Sequence, residues 1–482
     1  MPLIRRATTA LLIVLTLPIL LWPAFLNRWP LIFPDTAAYL DDGREVAAAF
    51  LHRLPQPIFW MRSPLYAIVI FPFHLDRTLW PIILLHALCV ATTLWLVMRV
   101  LLPDPELPYL GIVAALSLIT GLSWTTCLVM PDVLGPIAYL SLVMLASAYD
   151  RLTLAQRTLV TTLTLWSISA HMTHLMIAAA VCLLLALLSF LPRHHPLVPR
   201  SGAIRAALVF GAAVLLQFAV NSWLYQRPTL FGIGRPPYLL ARLTADGPAR
   251  SVLTSDCATN PHAWALCPFV NNISNDSDIF LWDEDGVLAH ATPAQAHQMA
   301  REETRLLFAT LLRHPLEQTR ISLTNVSRQL IGFGLKDFSN SPDTDLDLED
   351  IVPGAGARYR STRQFANTMP TTLFTRMQNI SIFAAIVFLC ATLPRSWSHL
   401  SDTLRVLIVV SLLAILANAL LTGALSEVDP RYQVRVAWLI PFLASLVLVA
   451  RKRVPASEEA GHMATEGSAR TADEIPAGPI PA

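Results

Sequence analysis

Apolar residues in this chain neither alternate nor recur on one helical stripe. They come in long runs, near residues 7–26, 79–101, 108–125, 128–148, 157–172, 175–191, 203–223, 375–394, 403–424 and 434–450. A helix needs about 20 mostly apolar residues to cross the hydrocarbon core of a bilayer, and in lipid only helices or closed barrels satisfy their own backbone groups. The pattern therefore predicts an all-α polytopic membrane protein, a bundle of about 10 transmembrane helices. The run SPLYAIVIFPFHL at 63–75 is shorter and bounded by proline, so it reads as an interfacial or re-entrant helix. The first run follows Arg5 and Arg6, is too long for a signal peptide and lacks a small-residue cleavage site, which makes it a retained signal anchor.

The polar stretches divide the chain. Residues 1–223 form an N-terminal transmembrane module whose first outer loop covers 27–62, residues 224–374 an extracytoplasmic segment, residues 375–450 the C-terminal transmembrane helices, and residues 451–482 a tail without apolar periodicity that is expected to be disordered and cytoplasmic. The segment mixes turn signals (GIGRPP, TSDCATNP, NNISNDSD) with a helical stretch, TPAQAHQMAREETRLLFATLLRHPLEQTRISLTNVSRQLIGF, that Pro315 interrupts, so it is expected to be mostly helical. Basic residues close to span ends stay in the cytoplasm. With the N-terminus inside, Arg5 and Arg6, the loop after Arg99, the loop with Arg151 and Arg157, RHHPLVPRSGAIR, RSWSHLSDTLR and the RKR of 451–453 all fall on that side. The first loop, the long segment and the SEVDPRYQVR turn then share the opposite side.

Composition agrees with the pattern. Hydrophobic residues make up 54% and charged residues 14% of the 482, where a soluble protein carries about 25% charged residues, so a water-soluble fold is excluded. The net charge of +2 gives no reason to expect a nucleic-acid partner. Cys89, Cys127, Cys182 and Cys390 lie in apolar runs and read as packing residues. Cys257 and Cys267 lie in the polar segment and can close a small disulfide loop if it faces an oxidising compartment.

Candidate chemistry concentrates in the first outer loop, NRWPLIFPDTAAYLDDGREVAAAFLHRLPQPIFWMRSPLY, with Asp35, Asp41, Asp42, Arg28, Arg44 and Arg62. Charges held beside a membrane are costly unless paired or used. A helix starting at Thr36 puts Asp35 and Asp42 on one face. Asp35 is also well placed as an N-cap, a contribution of about 1 kcal/mol, and one residue can serve both roles.

PDTAAYL in this loop, followed by RSPLY leading back to the membrane, resembles the GT-C membrane glycosyltransferases, a superfamily that includes the bacterial aminoarabinose and galacturonic acid transferases and the protein O-mannosyltransferases. The likeness covers roughly the first 225 residues in layout. Many members carry a paired acidic motif in this loop, whereas Asp35 here stands between Pro34 and Thr36. The resemblance implies a GT-C-like bundle in a bacterial inner membrane with a periplasmic site, a polyprenyl-phosphate-linked sugar as donor and an envelope lipid, glycan or protein as acceptor. Asp35 would be the catalytic base and Asp41, Asp42 and Asp132 its supporting acids. Arg431, Tyr432, Arg435 and Arg62 would hold the donor phosphate, because a guanidinium makes paired charge-assisted hydrogen bonds to phosphate. No cofactor is expected with certainty, and a divalent metal remains open.

Each candidate has a plainer reading beside the chemical one. Arg431 and Arg435 lie four apart at the end of a run, where long cations commonly snorkel to the interface or are neutralised by Glu427 and Asp429. Asp132, after Pro131, can be an N-cap. His171 and His174, three apart, can ligate a metal with a carboxylate or simply line a polar cavity that contacts substrate. WDEDG at 282–286 lacks the ligand pattern of a calcium loop and reads as a solvated turn. Two rival functions are a flippase or transporter for lipid-linked saccharides and a non-enzymatic assembly partner. A transporter calls for ionisable groups near mid-membrane, whereas here the charges cluster at run ends.

Overall fold

A computed structural model describes residues 2–52, 62–191, 196–232, 235–341 and 343–451. The expected tail, residues 452–482, lies outside them. Among the described residues there is no strand, and the single extended pairing is a parallel bridge between Leu31 and Leu128. In the chain order that follows, proline and glycine decide where apolar runs become one helix or two.

The first run forms α1 (Pro2–Leu20) and α2 (Trp22–Asn27), with Pro23 in the opening turn of α2. The first loop contributes α3 (Asp35–His52) and α4 (Pro64–His74), which pack against each other. Then come α5 (Trp80–Leu101), α6 (Glu106–Ile119), α7 (Leu122–Cys127), α8 (Leu134–Ser147), α9 (Leu154–Ser169), α10 (Met172–Phe190) and α11 (Arg200–Leu224). Gly121 separates α6 from α7, and a Cβ there would lie 2.2 Å from Val434 Cγ1, so only glycine admits this close approach. The polar segment folds into α12 (Tyr238–Asp246), α13 (Pro248–Thr259), α14 (Ser277–Trp282), α15 (Val287–His290), α16 (Pro293–Arg313), α17 (Pro315–Ile331), α18 (Thr344–Ile351) and α19 (Ala355–Arg360). A capping box of Thr292 and Gln295 starts α16, and Pro315 opens α17 where its missing N–H costs nothing. Last are α20 (Thr371–Ser396), α21 (Asp402–Leu425), α22 (Pro430–Ala437) and α23 (Leu439–Arg451).

Among the described residues, seven helical stretches are long and apolar enough to cross a membrane: Ala7–Asn27, Trp80–Leu101, Met172–Phe190, Arg200–Leu224, Thr371–His399, Asp402–Leu425 and Pro430–Arg451. They fit an integral membrane protein. The other three expected runs fall on shorter helices, α6 and α8 with 14 residues each and α9 with 16. The short run at 63–75 forms α4.

One large core unites the bundle, centred on α8, whose residues from Leu134 to Ala146 are all buried. The polar segment does not behave as one unit. Leu240, Val252, Trp264, Phe280 and Leu306 belong to a separate small core, whereas Leu335, Phe338, Leu348 and Tyr359 join the core of the bundle. Cys257 and Cys267 form a disulfide within the small core's periphery, with a Cα–Cα distance of 5.3 Å.

Candidate functional site

Backbone and side-chain hydrogen bonds bring remote segments together. Leu31 N–H donates to Cys127 O (2.9 Å) and Val129 N–H to Leu31 O (3.0 Å), while Thr36 Oγ1 donates to Val129 O (3.1 Å). The segment before Asp35 is thereby laid along the one before Asp132. Gln364 acts as a side-chain rung on the other flank: Ile32 N–H donates to its Oε1 (3.0 Å) and its Nε2 donates to Ile32 O (2.6 Å). Gln329 does the same for the last turn, with Asp429 N–H donating to Oε1 (2.9 Å) and Nε2 donating to Asp429 O (2.7 Å). Asp429 then caps α22, its carboxylate accepting from Arg431 N–H at 2.8 Å.

At the centre lies a buried charge cluster. Arg431 Nη1 donates to both oxygens of Asp132, at 3.1 and 3.4 Å, and Arg435 Nη1 is 3.7 Å from Asp132 Oδ1. All three side chains are buried. Arg435 also donates from Nε (3.0 Å) and Nη2 (2.8 Å) to Asn418 Oδ1, and Asn418 Nδ2 in turn donates to Tyr432 O at 2.8 Å. The Arg431 guanidinium lies over Phe33, 3.9 Å from its ring centroid, and 4.8 Å from that of Tyr432. This geometry replaces interfacial snorkelling for both arginines, because each reaches inward to a carboxylate or an amide. Asp132 occupies a 3-10 turn, Pro131–Val133, whose N-cap is Met130, so it is a counter-ion and not a cap.

Asp35 opens α3 at the edge of this cluster and is ion-paired with Arg62; their side chains are 21% and 15% exposed, so this pair is reachable where the inner one is not. Among the described residues its carboxylate takes its hydrogen bond from Arg62 and not from the first turn of α3. Asp35 lies within electrostatic reach of Arg431 and Tyr432. Tyr238, at the start of α12, lies within electrostatic reach of Arg62 and of Asp35 and brings the polar segment to the site. Two of the site's buried donors, Arg431 Nε and Arg62 Nε, have no hydrogen-bond acceptor among the described residues.

The remaining candidates separate. Asp41 pairs with Arg44 on the exposed side of α3 at 2.5 Å, away from the cluster. Asp42 turns inward; burial first, then the neighbouring Asp41, push its carboxyl up to about 8, and among the described residues its Oδ2 has no hydrogen-bond partner. His171 Nδ1 caps α10 by accepting from Thr173 N–H (3.2 Å). His174 Nδ1 donates to Ser167 O (3.0 Å), which leaves Nε2 as an unpartnered buried acceptor beside Gly135. The two rings are 5.3 Å apart, and among the described residues no group of three or more His, Cys, Asp or Glu side chains is arranged to hold a metal ion. Of the two acids expected to neutralise the arginines, Asp429 approaches Arg431, its Oδ2 4.0 Å from Nε, whereas Glu427 faces Asp278; burial followed by like-charged neighbours, Asp278 for Glu427 and Asp429 for Asp337, raises the pKa of Glu427 and of Asp337.

Sequence reading missed Asn418, Phe33, Gln329 and Tyr238. A lone Asn in an apolar run was a usable signal, since a buried amide in a span needs a partner. The other three carried none. No known protein family, curated protein or solved structure matches the chain.

Proposed function

We propose that the chain is an integral membrane glycosyltransferase that moves a sugar from a polyprenyl-phosphate carrier to an envelope lipid, glycan or protein, with its site on the periplasmic face of a bacterial inner membrane. The observation that carries this reading is the pairing of one reachable carboxylate, Asp35, with a cluster behind it in which two guanidiniums share Asp132, with Asp429 4.0 Å from Arg431, and in which, among the described residues, guanidinium N–H donors are left unused. A reachable guanidinium, Arg62, with buried positive charge behind it suits a phosphate, which accepts charge-assisted hydrogen bonds from the first and is stabilised by the field of the second.

In the proposed reaction the acceptor hydroxyl oxygen attacks the anomeric carbon and Asp35 takes its proton. The bond between that carbon and the phosphate oxygen breaks, and the phosphate leaves with the electron pair. Arg62, partly exposed beside Asp35, meets the phosphate, and Arg431 and Arg435, buried behind it, offset through space the charge that develops on it. Tyr432 lies against the same guanidiniums. The described charges near the spans sit toward helix ends, which favours chemistry at one face over translocation through the bundle.

The test is Asp35→Asn, in cells and in purified protein, with envelope glycolipids and lipid-linked sugars followed by mass spectrometry. The variant is expected to insert normally, lose the glycosylated product and accumulate lipid-linked sugar. Product at the parent level removes the mechanism.

A further inference from the structure

Helix α17 is built inside out. A helix packed on a protein in water buries its apolar stripe and exposes its polar one. Here the inward face is made of amides, Gln318, Asn325 and Gln329, all buried. Gln318 and Asn325 each donate to Asp246 at 2.9 Å, and Gln329 holds the backbone of Asp429. The outward face carries Leu316, Leu323 and Ile331, which are 84%, 60% and 72% exposed, and the stripe continues onto Phe308 and Leu312 at the end of α16. Arg320 and Arg328 are exposed on the same helix.

We propose that this outward face of α17 rests in the phospholipid bilayer, at the boundary between headgroups and acyl chains, with Arg320 and Arg328 reaching lipid phosphates. Two further observations select lipid as the occupant. First, α17 lies directly against α21, a candidate span: a Cβ on Gly423 would come within 2.9 Å of Asn325 O, so the two backbones touch. The exposed stripe of α21, Leu412, Leu416 and Leu420, faces the acyl chains in any membrane orientation of that helix, and α17 packs beside its last turns. Second, one arginine among the apolar residues of the outward face, Arg320, and another at its margin, Arg328, match a phosphate-bearing apolar boundary, where the stem of arginine lies along hydrocarbon and its head reaches the phosphate. The proposal holds whatever reaction the site performs. It gives the polar segment a fixed footing on the membrane, coupled through Gln329 to the turn that carries Arg431.

The test uses the full chain with Cys182→Ser and Cys390→Ser, and Leu316→Cys, Leu323→Cys or Ile331→Cys carrying a nitroxide, reconstituted in vesicles of phosphatidylethanolamine and phosphatidylglycerol. Oxygen, concentrated in hydrocarbon, and a nickel chelate, confined to water, report the surroundings; Leu420→Cys and Asp285→Cys calibrate lipid and water. Oxygen accessibility above nickel accessibility at the three positions, at shallower depth than Leu420→Cys, supports the proposal. Nickel accessibility like that of Asp285→Cys overturns it. Low accessibility to both reagents also overturns it, because a protein surface, such as a second copy of the chain, then covers the face. Arg320→Glu with Arg328→Glu is expected to move the labels toward water; no movement refutes the role given to the arginines.

Discussion

Replacing Asp132 by Asn keeps the shape of the side chain and removes the charge that faces Arg431 and Arg435. At 3.1 and 3.7 Å, each contact is worth about 5 kcal/mol of Coulomb attraction at an effective dielectric of about 20, before desolvation is counted. The net loss is smaller, because the buried pair has already given up its hydration, but among the described residues the variant leaves Arg435 without a carboxylate partner and Arg431 with only Asp429, 4.0 Å from its Nε. Breaking a buried pair from one side costs about 3–5 kcal/mol. The same change at Asp41, whose pairing with Arg44 is exposed, is expected to cost under about 1 kcal/mol. Unfolding equilibria in mixed micelles measure both. Arg431→Met supplies the second arm: combined with Asp132→Asn it is expected to be less than additive by about 0.5–3 kcal/mol, since the first change has already removed the interaction. A loss for Asp132→Asn no larger than that for Asp41→Asn, or strict additivity in the double variant, refutes the idea that the cluster is held by its charges.

Three further outcomes are expected. Gly423→Ala puts a methyl carbon 2.9 Å from Asn325 O and 3.1 Å from Gln329 Cβ, so overpacking is expected to cost about 1–3 kcal/mol, read as a lower unfolding midpoint, while Gly211→Ala, with open space around it, leaves the midpoint unchanged. Removing the Cys257–Cys267 disulfide, with a sequence separation of 10, is expected to cost about 2.8 kcal/mol by the loop-entropy relation, measured as faster proteolysis of the polar segment alone. Asp42 holds its proton up to about 8 in the folded chain against 3.8 ordinarily, so the folded state binds a proton the unfolded state has released; its contribution to stability is present below about 4 and is lost as pH rises to about 8. Asp42→Asn is expected to flatten that decline, and an unchanged pH profile of stability refutes the assignment.

The helical, membrane-compatible character of the fold was legible because run length is a direct consequence of bilayer thickness. Run length alone does not say where a run breaks. The stretch from 108 to 125 reads as continuous, yet Gly121 meets Val434 and splits it into α6 and α7. At the site, residue types were legible and partnerships were not. Arg431 and Asp132 are 299 residues apart, so local spacing carries no trace of their pairing; of the nearer acids that spacing does suggest, Asp429 approaches Arg431 at 4.0 Å and Glu427 does not. Asp41 and Asp42 show the opposite failure. They are neighbours in sequence, but successive residues on a helix point in different directions, and only Asp42 turns toward the protein.

The cluster also shows how a charged group can be buried at the edge of a membrane protein without floating free in geometry. Arg435 is fixed by Asn418 from α21, Arg431 by Asp132 from the turn before α8, and the start of α22 by Gln329 from α17. Three separate elements therefore converge on eight residues, and each contributes a side chain whose hydrogen bonds are satisfied mainly by this one turn. Asp35 and Arg62 differ: their pair is partly exposed and leans on the first loop and on Tyr238. For the proposed reaction the difference is useful, since an anion seat works best when its donors cannot relax away from the charge they stabilise, while a base must meet a hydroxyl arriving from outside. Rigid cations behind a reachable carboxylate divide those two demands between different elements, so a variant of Asn418 or Gln329 is expected to weaken donor binding, and a variant of Tyr238 to disturb the base, with the other half of the site intact.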